Sequence, residues 1–343
     1  MKSPNNQRVL FFINTVTSYQ DNFYKALSRI MNIKIIVLSK KYSNYKFKID
    51  GKKYLFLDDI KFPKKKIEQV IFNFRPKSII FGGYRLKYSY YINKIIKEKN
   101  IKSYYWLERL DGSKKLKLFL NKILLKKILK KATGILAIGN EAKKFYKKFN
   151  NNIINLPYSI KFIAKIAKPK INKKKIKFLF VGQLIKRKNI EIIINLLSTK
   201  TFPNFQMTFV GEGTYQNKIL NLSRKNKNIK YYGFQNNNKL KTIYQKNDVL
   251  IFLSKFDGWG VVALEAMNYK LAIISSKNVG SKEIFCKDNF IIKPKANELE
   301  KKINYIIKNY KKIRDLGNKN RKLLKFSLCN SNNSVKKFIE FTQ

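Results

Sequence analysis

Short apolar runs alternate with amphipathic segments along most of the chain, and this pattern predicts alternating strands and helices. Near the start, it predicts a buried strand over residues 8–14, a helix over 21–31 and a second strand over 33–38. Strands that are apolar throughout are typical of parallel sheets with helices on both faces. The order strand, loop, helix, strand therefore predicts a right-handed βαβ unit with ligand contacts at the carboxyl ends of its strands.

The alternation is interrupted once and then begins again. Residues 165–175 carry Pro169 and six lysines with few apolar positions, which is typical of a linker. With 343 residues, the chain can form two domains of ordinary size. We therefore predict a first domain over residues 1–165, a linker over 166–175, a second domain over 176–325 and a C-terminal helix over 326–343.

One stretch of the second domain is a candidate anion site. The apolar run 248–254 predicts a buried strand, and Gly258 and Gly260 follow it before a predicted helix. Glycines let backbone N–H groups approach a ligand, and the helix adds the positive end of its dipole, which suits a diphosphate. Asp257 and Glu265 flank this turn, and their carboxylates would accept hydrogen bonds from sugar hydroxyls. An ordinary strand-to-helix connection stays open as the alternative.

A second basic turn follows the first predicted strand of this domain. Lys186, Arg187 and Lys188 precede a helix that we expect to be capped by Asn189. Lysines beside a helix amino end form another arrangement that attracts phosphate.

Residues 113–131 form the most strongly amphipathic segment. Its apolar stripe and its lysines favour either a face that meets anionic lipid headgroups or an ordinary core-packing helix with a solvated basic face. The residues assigned to the stripe are Leu116, Leu120, Ile123, Leu124 and Ile128.

The net charge of +55 arises from 75 Lys and Arg against 20 Asp and Glu. Such a charge is typical of proteins that bind polyanions. Only nine of the basic residues are arginines, however, and sequence-reading proteins depend on arginine for bidentate contacts with bases. We therefore expect no nucleic acid partner, whereas an anionic membrane surface remains a candidate partner.

Histidine is absent and there are two cysteines, Cys286 and Cys329. The chemistry must therefore proceed without an imidazole base, and no disulfide framework is expected. Asp58 and Asp59 are adjacent and lack the Asp-x-Asp spacing that would hold a diphosphate-bound cation, so we interpret them as a strand end. No signal peptide or spanning segment is predicted, and the expected location is the cytoplasm.

Residues 257–267 resemble the E-x7-E signature of the retaining family 4 glycosyltransferases, which have the GT-B fold. Asp257 stands where most members have Glu, and Glu265 is the second acid. The run from Asp257 to Val261 is similar to the Asp-Gly-Trp-Gly-Val version of a subgroup that builds bacterial surface polysaccharides. Further elements follow in the family's order: Gly182 to Lys188, Gly211-Glu212-Gly213, Ile229 to Phe234, and Val279 to Ile284.

The resemblance implies a GT-B fold with two Rossmann-like doubly wound domains facing across a cleft. It implies transfer of a sugar, with retention, from a nucleotide diphosphate sugar to a hydroxyl of a glycan acceptor that we expect to be lipid-linked. No cofactor and no metal ion are expected. The residues implied as catalytic are Asp257, Glu265 and Glu108. The residues implied in donor binding are Gly182, Gln183, Arg187, Lys188, Phe234, Gly258, Trp259, Gly260, Val261 and Glu265.

Some positions depart from the family pattern and keep other functions open. Gln183 replaces the family's arginine, so Lys186 or Arg187 would have to supply the missing charge. Glu108 follows a predicted aromatic strand, where it could handle the acceptor together with Asp111, or could form an ion pair with Arg109. The alternatives to an active transferase are a non-enzymatic polyanion binder and a GT-B protein that has lost catalysis.

Overall fold

Two parallel sheets organise the chain, each in its own structural unit. The computed structural model describes residues 5–39, 54–58, 60–111, 115–166, 175–328 and 331–343. The first unit comprises Met1–Lys161 and Asn330–Gln343, and the second comprises Phe162–Cys329. Residues 167–174 of the predicted linker lie outside the described residues.

The first unit contains seven parallel strands in the order β3-β2-β1-β4-β5-β6-β7. The strands are β1 (Asn5–Ile13), β2 (Met31–Val37), β3 (Tyr54–Phe56), β4 (Ser78–Phe81), β5 (Lys102–Glu108), β6 (Gly134–Ile138) and β7 (Ile153–Asn155). The helices that connect them are α1 (Ser18–Leu27), α2 (Pro63–Phe74), α3 (Ser89–Glu98), α4 (Lys115–Leu129) and α5 (Asn140–Tyr146).

The second unit repeats this winding with six parallel strands in the order β10-β9-β8-β11-β12-β13. The strands are β8 (Ile176–Val181), β9 (Phe205–Val210), β10 (Ile229–Tyr231), β11 (Val249–Phe252), β12 (Ala272–Ser276) and β13 (Phe290–Ile292). The helices are α6 (Ile190–Thr199), α7 (Gln216–Lys225), α8 (Asn237–Lys246), α9 (Val261–Asn268), α10 (Ala296–Lys308) and α11 (Tyr310–Ser327). The last helix of the chain, α12 (Ser331–Thr342), belongs to the first unit.

The central strands are buried along their whole length. Every residue of β4, β9, β11 and β12 is buried. Helices therefore cover both faces of each sheet, which explains why the strands appear in the sequence as mostly apolar runs without a regular alternation of polar residues. Among the described residues, no helix is both long and apolar enough to cross a membrane.

The first helix begins three residues earlier than the sequence pattern indicated. Residues 15–20 were expected to form a loop, but the side chain of Gln20 accepts a hydrogen bond from the backbone N–H of Thr17 at 3.1 Å. This contact belongs to a capping box, which satisfies a backbone donor at a helix start. The apolar pattern alone could not detect it, because the first turn carries polar residues.

The apolar stripe predicted for residues 113–131 was wrong in part. Leu125 and Leu129 of α4 are fully buried in the core, and Ile128 of the predicted stripe packs against it while partly buried. Leu120 and Ile123, which we had assigned to the stripe, are 53% and 56% exposed. The helix carries more apolar residues than one face can hold, so periodicity alone could not decide which face is buried.

The C-terminal helix was predicted over residues 326–343. In the structure, α11 continues to Ser327 and α12 begins at Ser331, so the predicted span covers the end of one helix and the whole of the next. In α12, the ring of Phe338 packs against Phe11 and Phe23, in each case with ring centroids 5.7 Å apart.

The boundary between the units lies four residues before the predicted end of the first domain. Phe162 packs under the guanidinium group of Arg321 at 4.3 Å, and the same side chain donates to the carbonyls of Ile163 and Ala164 at 2.5 Å and 3.1 Å. These contacts fasten residues 162–164 to α11, so they belong to the second unit.

Gly211 is required where the ends of β8 and β9 meet. Its φ is +131°, and a Cβ at this position would overlap the carbonyl oxygen of Gly182. Backbone bonds fix the approach, since Gly182 donates to Val210 at 3.0 Å and Gly211 donates to Gly233 at 2.8 Å. Only glycine allows this combination of φ and contact.

We expect Gly211→Ala to lower the free energy of unfolding of the second unit by about 2–3 kcal/mol, because it adds strain and a backbone clash. Gly233→Ala is the matched control, since Gly233 also has a positive φ of +63° but the added Cβ would make only an ordinary contact, 3.8 Å from the Tyr231 hydroxyl. Thermal unfolding of both variants measures the difference. Equal losses would contradict the importance of the close approach.

Candidate functional site

The predicted donor-binding residues of the second unit, with the exception of Glu265, lie at the carboxyl edge of its sheet. The order of the strands reverses between β8 and β11, which is the position where doubly wound sheets bind ligands. The ladder between these two strands covers only Val249–Phe178 and Leu250–Leu179, so it stops two residues before each strand ends. The loops that follow β8 and β11 therefore flank a point where the strands are no longer paired.

Backbone hydrogen bonds connect the loops at this edge. They join the loops after β8, β9, β10, β11 and β12: Leu184 to Glu212 at 2.8 Å, Gly211 to Gly233 at 2.8 Å, Lys255 to Arg187 at 2.9 Å, and Asp257 to Asn278 and Gly280 to Asp257 at 3.1 Å each. The arrangement is thus fixed before any ligand binds, which lowers the cost of binding.

The glycine turn after β11 has the backbone geometry that we predicted for an anion site. Gly260 has a φ of +87° and immediately precedes α9. A Cβ on Gly260 would lie 2.7 Å from the ring of Phe252, so a larger residue would not fit. Within the described part of the chain, the N–H groups of Gly258, Trp259 and Gly260 donate to no other group. These donors and the amino end of α9 can serve a phosphate.

Trp259 is 1% exposed, and its indole Nε1 has no hydrogen-bond partner among the described residues. Its carbonyl accepts a bond from the Ser281 N–H at 2.7 Å. The indole therefore packs below the turn, and only the backbone of Trp259 is available to a ligand.

Lys188 and Asp257 form an ion pair that the sequence did not indicate. The Lys188 Nζ contacts the Asp257 Oδ2, and both side chains are largely buried. The Arg187 Nη1 lies 3.7 Å from the same oxygen and donates to the Phe256 carbonyl at 3.0 Å. The Lys188 Nζ also lies over the ring of Phe252, 5.4 Å from its centroid. We had assigned the cation to a phosphate and the carboxylate to a sugar, and the structure brings the two groups together.

The turn after β8 differs in detail from the prediction. Residues 186–188 form a short 3-10 turn, and Asn189 then adopts a left-handed backbone with φ of 59°. Asn189 occupies the cap position, but its side chain makes no capping hydrogen bond. Gln183 is exposed, and Gly182 lies beside the Lys188 side chain. The position of Lys188 is therefore set by the 3-10 turn and by the left-handed backbone of Asn189, and not by a side-chain cap of the following helix.

Glu265 lies in the second turn of α9, and Tyr244 of α8 binds its carboxylate. The Tyr244 hydroxyl donates to the Glu265 Oε2 at 2.9 Å. Burial raises the pKa of the Glu265 carboxyl above its ordinary value, and the hydrogen bond from Tyr244 opposes part of that rise. Tyr244 is 2% exposed, and its ring stacks on Tyr269 with centroids 5.4 Å apart. Sequence reasoning missed Tyr244, because no motif or spacing marks it.

Phe234 lies beyond the end of β10, which stops at Tyr231, and its ring is 47% exposed. The predicted strand over residues 229–234 is therefore shorter than expected. An exposed aromatic ring at this edge can stack on a planar group.

Glu108 belongs to the first unit, where it is the exposed last residue of β5. Its carbonyl accepts a bond from the Tyr146 hydroxyl at 2.8 Å. Arg109 forms an ion pair with Glu141 of α5. Asp111 is also exposed at this edge. Burial, with the charge of Glu108 as a smaller cause, raises the pKa of the Tyr158 hydroxyl well above its usual value.

Among the described residues, metal-binding side chains and the cavity at the other edge of the second sheet do not add to the site. In the described part of the chain, no cluster of three His, Cys, Asp or Glu side chains could hold a metal ion. A cavity of about 500 Å³ is lined by residues at the opposite edge of the second sheet, including Phe202, Phe205 and Arg224. None of the predicted site residues lines this cavity, so its volume does not bear on the chemistry described above.

Comparison with known proteins finds similarity over part of the chain. Residues 161–323 match the family model of glycosyl transferases group 1. A stretch of 121 residues, 35% of the chain, is 30% identical to an uncharacterized 41.2 kDa protein in the cps region of Klebsiella pneumoniae and spans 32% of that relative. The chain matches less than half of the length of the first curated relatives.

Solved structures share the fold over nearly the whole chain. HepE of Anabaena in complex with UDP-glucose has a TM-score of 0.75 at 12% identity, and the match covers 98% of this chain and 100% of that one. The lipopolysaccharide outer core galactosyltransferase WaaB in its apo form has a TM-score of 0.69 at 17% identity, with 98% and 99% covered. The predicted fold class, GT-B with two Rossmann-like doubly wound domains, is confirmed.

We expect Glu265→Gln to gain stability relative to the wild type as the pH rises above the ordinary glutamate pKa of about 4.3. The folded wild type binds the Glu265 proton more tightly than the unfolded chain does. Its free energy of unfolding therefore falls between the ordinary pKa and the raised one, and the glutamine variant has no such loss. Tyr244→Phe should extend the fall to higher pH, because the bond that opposes the shift is gone. Urea unfolding over a pH series tests both, and a pH-independent difference between Glu265→Gln and the wild type would contradict them.

We also expect the Lys188–Asp257 pair to be energetically coupled. Lys188→Met and Asp257→Asn should each cost about 1–3 kcal/mol, because each leaves a largely buried partner unpaired, and the double variant should cost less than their sum. The exposed pair Lys319–Asp288, whose side chains are 60% and 62% exposed, is the control and should show a smaller coupling. If the losses of stability from Lys188→Met and Asp257→Asn are strictly additive in the double variant, the two side chains are not coupled and the prediction is wrong.

Proposed function

We propose that the protein is a glycosyltransferase, because residues 161–323 match the family model of glycosyl transferases group 1. It transfers a sugar, with retention of anomeric configuration, from a nucleotide diphosphate sugar to a hydroxyl of a lipid-linked glycan. The product is a bacterial cell-surface polysaccharide, and the enzyme belongs to the subgroup with the Asp-Gly-Trp-Gly-Val turn. The observation that carries the proposal is the meeting of Lys188, Asp257 and the glycine turn between β8 and β11.

The donor diphosphate would bind at the glycine turn. The N–H groups of Gly258 to Gly260 and the amino end of α9 supply partial positive charge, and Lys188 supplies a full one. Since Lys188 pairs with Asp257, the diphosphate would take over the lysine as it binds. The exchange keeps Lys188 paired with a negative charge throughout.

The same exchange would release the carboxylate of Asp257 for the donor sugar. A free carboxylate accepts hydrogen bonds from hydroxyl groups, and Asp257 is next to the turn that holds the phosphates. Glu265, oriented by Tyr244, would accept bonds from the ribose hydroxyls, and Phe234 would stack on the base. These roles give Lys188, Asp257, Glu265 and Phe234 separate parts of the donor.

In the transfer step, the bond between the sugar C1 and the phosphate oxygen breaks and a bond forms from C1 to the acceptor oxygen. The acceptor proton passes to the departing phosphate oxygen, since the chain has no histidine to act as base. Glu108 or Asp111 at the edge of the first sheet could assist with the acceptor. Positive charge near the phosphate favours departure, and one oriented donor in a closed site contributes roughly 2.7–4 kcal/mol.

The relatives support the substrate class and the pathway. The K. pneumoniae relative is encoded in a cps region, WaaB is a lipopolysaccharide galactosyltransferase, and HepE was solved with UDP-glucose. By analogy, we propose a nucleotide sugar donor and a surface glycan acceptor. Two cysteines and no disulfide framework favour the cytoplasm as the place of reaction.

The net charge of +55 favours a second candidate, a protein that binds polyanions without catalysis. The two candidates differ in their response to nucleotide sugars. A transferase should be stabilised by one member of a nucleotide-sugar panel far more than by the others. A polyanion binder should respond to all of them alike, in proportion to their charge.

We expect transfer to persist in excess EDTA, because Lys188, Arg187 and the turn N–H groups can balance the diphosphate charge without a cation. Lys188→Ala should lower kcat/KM about a hundredfold or more, which corresponds to one lost charge-stabilising contact. The measurement is release of the nucleotide diphosphate from the donor that stabilises the protein. NMR of the product's anomeric proton reports retention.

Lys225→Ala is the matched control, since Lys225 is an exposed lysine at the end of α7 that lines the cavity at the opposite edge of the sheet, and this variant should leave turnover unchanged. Loss of activity on chelation that Mg²⁺ or Mn²⁺ restores would overturn the metal-independent mechanism. Specific donor binding without any transfer or hydrolysis would instead indicate a protein that has lost catalysis.

A further inference from the structure

Helix α4 of the first unit presents two different apolar surfaces. Leu125 and Leu129 face the core and are fully buried. Phe119, Leu120 and Ile123 are 60%, 53% and 56% exposed. Three large exposed apolar side chains within five residues form a patch rather than scattered single residues.

The exposed side of α4 changes character along its length. Residues three or four positions apart share one face of a helix, so Lys126 and Lys127 lie on the same side as Ile123. Two further lysines, directly after α4 ends at Leu129, line one cavity together with these three residues. These lysines are Lys126, Lys127, Lys130 and Lys131, and all of them are exposed. We call Phe119, Leu120, Ile123 and these four lysines the α4 face.

The lysines of the α4 face surround a shallow cavity. Its volume is about 430 Å³, and it is lined by Ile123 and the four lysines. Between Asp111 and Glu141 the sequence has no acidic residue, so no carboxylate of this segment balances these charges. An anionic group would therefore bind in the cavity directly beside the apolar patch.

Neighbouring helices add exposed aromatic rings at the same edge of the sheet. Helices α2, α3 and α4 each follow the carboxyl end of a parallel strand, so their first turns lie along one edge. Phe62, at the start of α2, is 65% exposed, and Tyr90, in the first turn of α3, is 89% exposed. Aromatic rings of this kind are enriched where a protein meets the polar boundary of a bilayer.

We propose that the α4 face docks on an anionic lipid bilayer. Phe119, Leu120 and Ile123 enter the boundary between headgroups and acyl chains, and the four lysines contact headgroup phosphates. A nucleic acid would satisfy the lysines but would leave the apolar patch in water. A second copy of the chain would oppose a like-charged helix. The inference does not depend on the proposed activity, because it concerns binding alone.

The test is sedimentation with vesicles of phosphatidylcholine and phosphatidylglycerol in equal parts, without any substrate. The variant Phe119→Ser/Leu120→Ser/Ile123→Ser keeps the charge and should bind at least about tenfold more weakly than the wild type. Its binding to heparin, a polyanion without an apolar interior, should stay unchanged. Replacing the four lysines with glutamine should weaken binding to both vesicles and heparin, and added salt should do the same.

The matched control is Leu323→Ser/Phe326→Ser on α11, where the two side chains are 39% and 72% exposed among other lysines. This variant should bind vesicles like the wild type. The fluorescence of Ile123→Trp is an independent test of membrane contact, since the native Trp106 and Trp259 are only 4% and 1% exposed. Brominated lipids should quench the new tryptophan and leave the native ones largely unaffected.

Two results would overturn the proposal. One is vesicle binding by the triple serine variant that equals the wild type. The other is parallel loss of vesicle and heparin binding in that variant while its melting temperature is unchanged, which would indicate a polyanion site. If the melting temperature falls, the quenching of Ile123→Trp decides: no quenching by brominated lipids would also overturn the proposal.

Discussion

The reversal of strand order between β8 and β11 is the constraint on which the candidate site depends. In a parallel sheet, the crossovers on either side of such a reversal run on opposite faces, so the loops at that point separate. Here the ladder between the two strands ends early, and Lys188 and Asp257 meet above it. The two residues are 69 positions apart in the chain, and the winding of the sheet brings them into contact.

Close backbone contacts make this arrangement possible. Gly211 lies against Gly182, and Gly280 lies against Gly258, so two pairs of loops approach more closely than any side chain would permit. The N–H groups of the turn at Gly258 and Gly260 are thereby held in place by the neighbouring loop. Rigid loops of this kind bring donors to a ligand without the entropic cost of ordering them on binding.

The sequence predicted the sheets well, because the buried strands are short and mostly apolar. It predicted the start of α1 poorly, because Thr17 and Gln20 act through a specific cap rather than through periodicity. It could not predict which face of α4 is buried, because apolar residues occur on more than one face of this helix. The contact of Tyr244 with Glu265 and the pairing of Lys188 with Asp257 depend on tertiary packing, so no local pattern contains them. The motif residues could be recognised from the sequence, because the backbone of the turn requires glycine and the two acids, Asp257 and Glu265, have a fixed spacing.

The position of α12 affects the order in which the chain can fold during synthesis. The second unit is continuous in sequence, whereas the first takes its last helix from residues 331–342, where Phe338 packs on Phe11 and Phe23. The ribosome releases these residues after those of the second unit, so the second unit can complete its core while the first still exposes the surface that Phe338 will cover. During synthesis the amino-terminal domain usually folds first, whereas here the first unit would be completed after the second. A nascent chain stalled before α12 would carry a finished second unit and an apolar opening in the first, which is the kind of surface that chaperones bind.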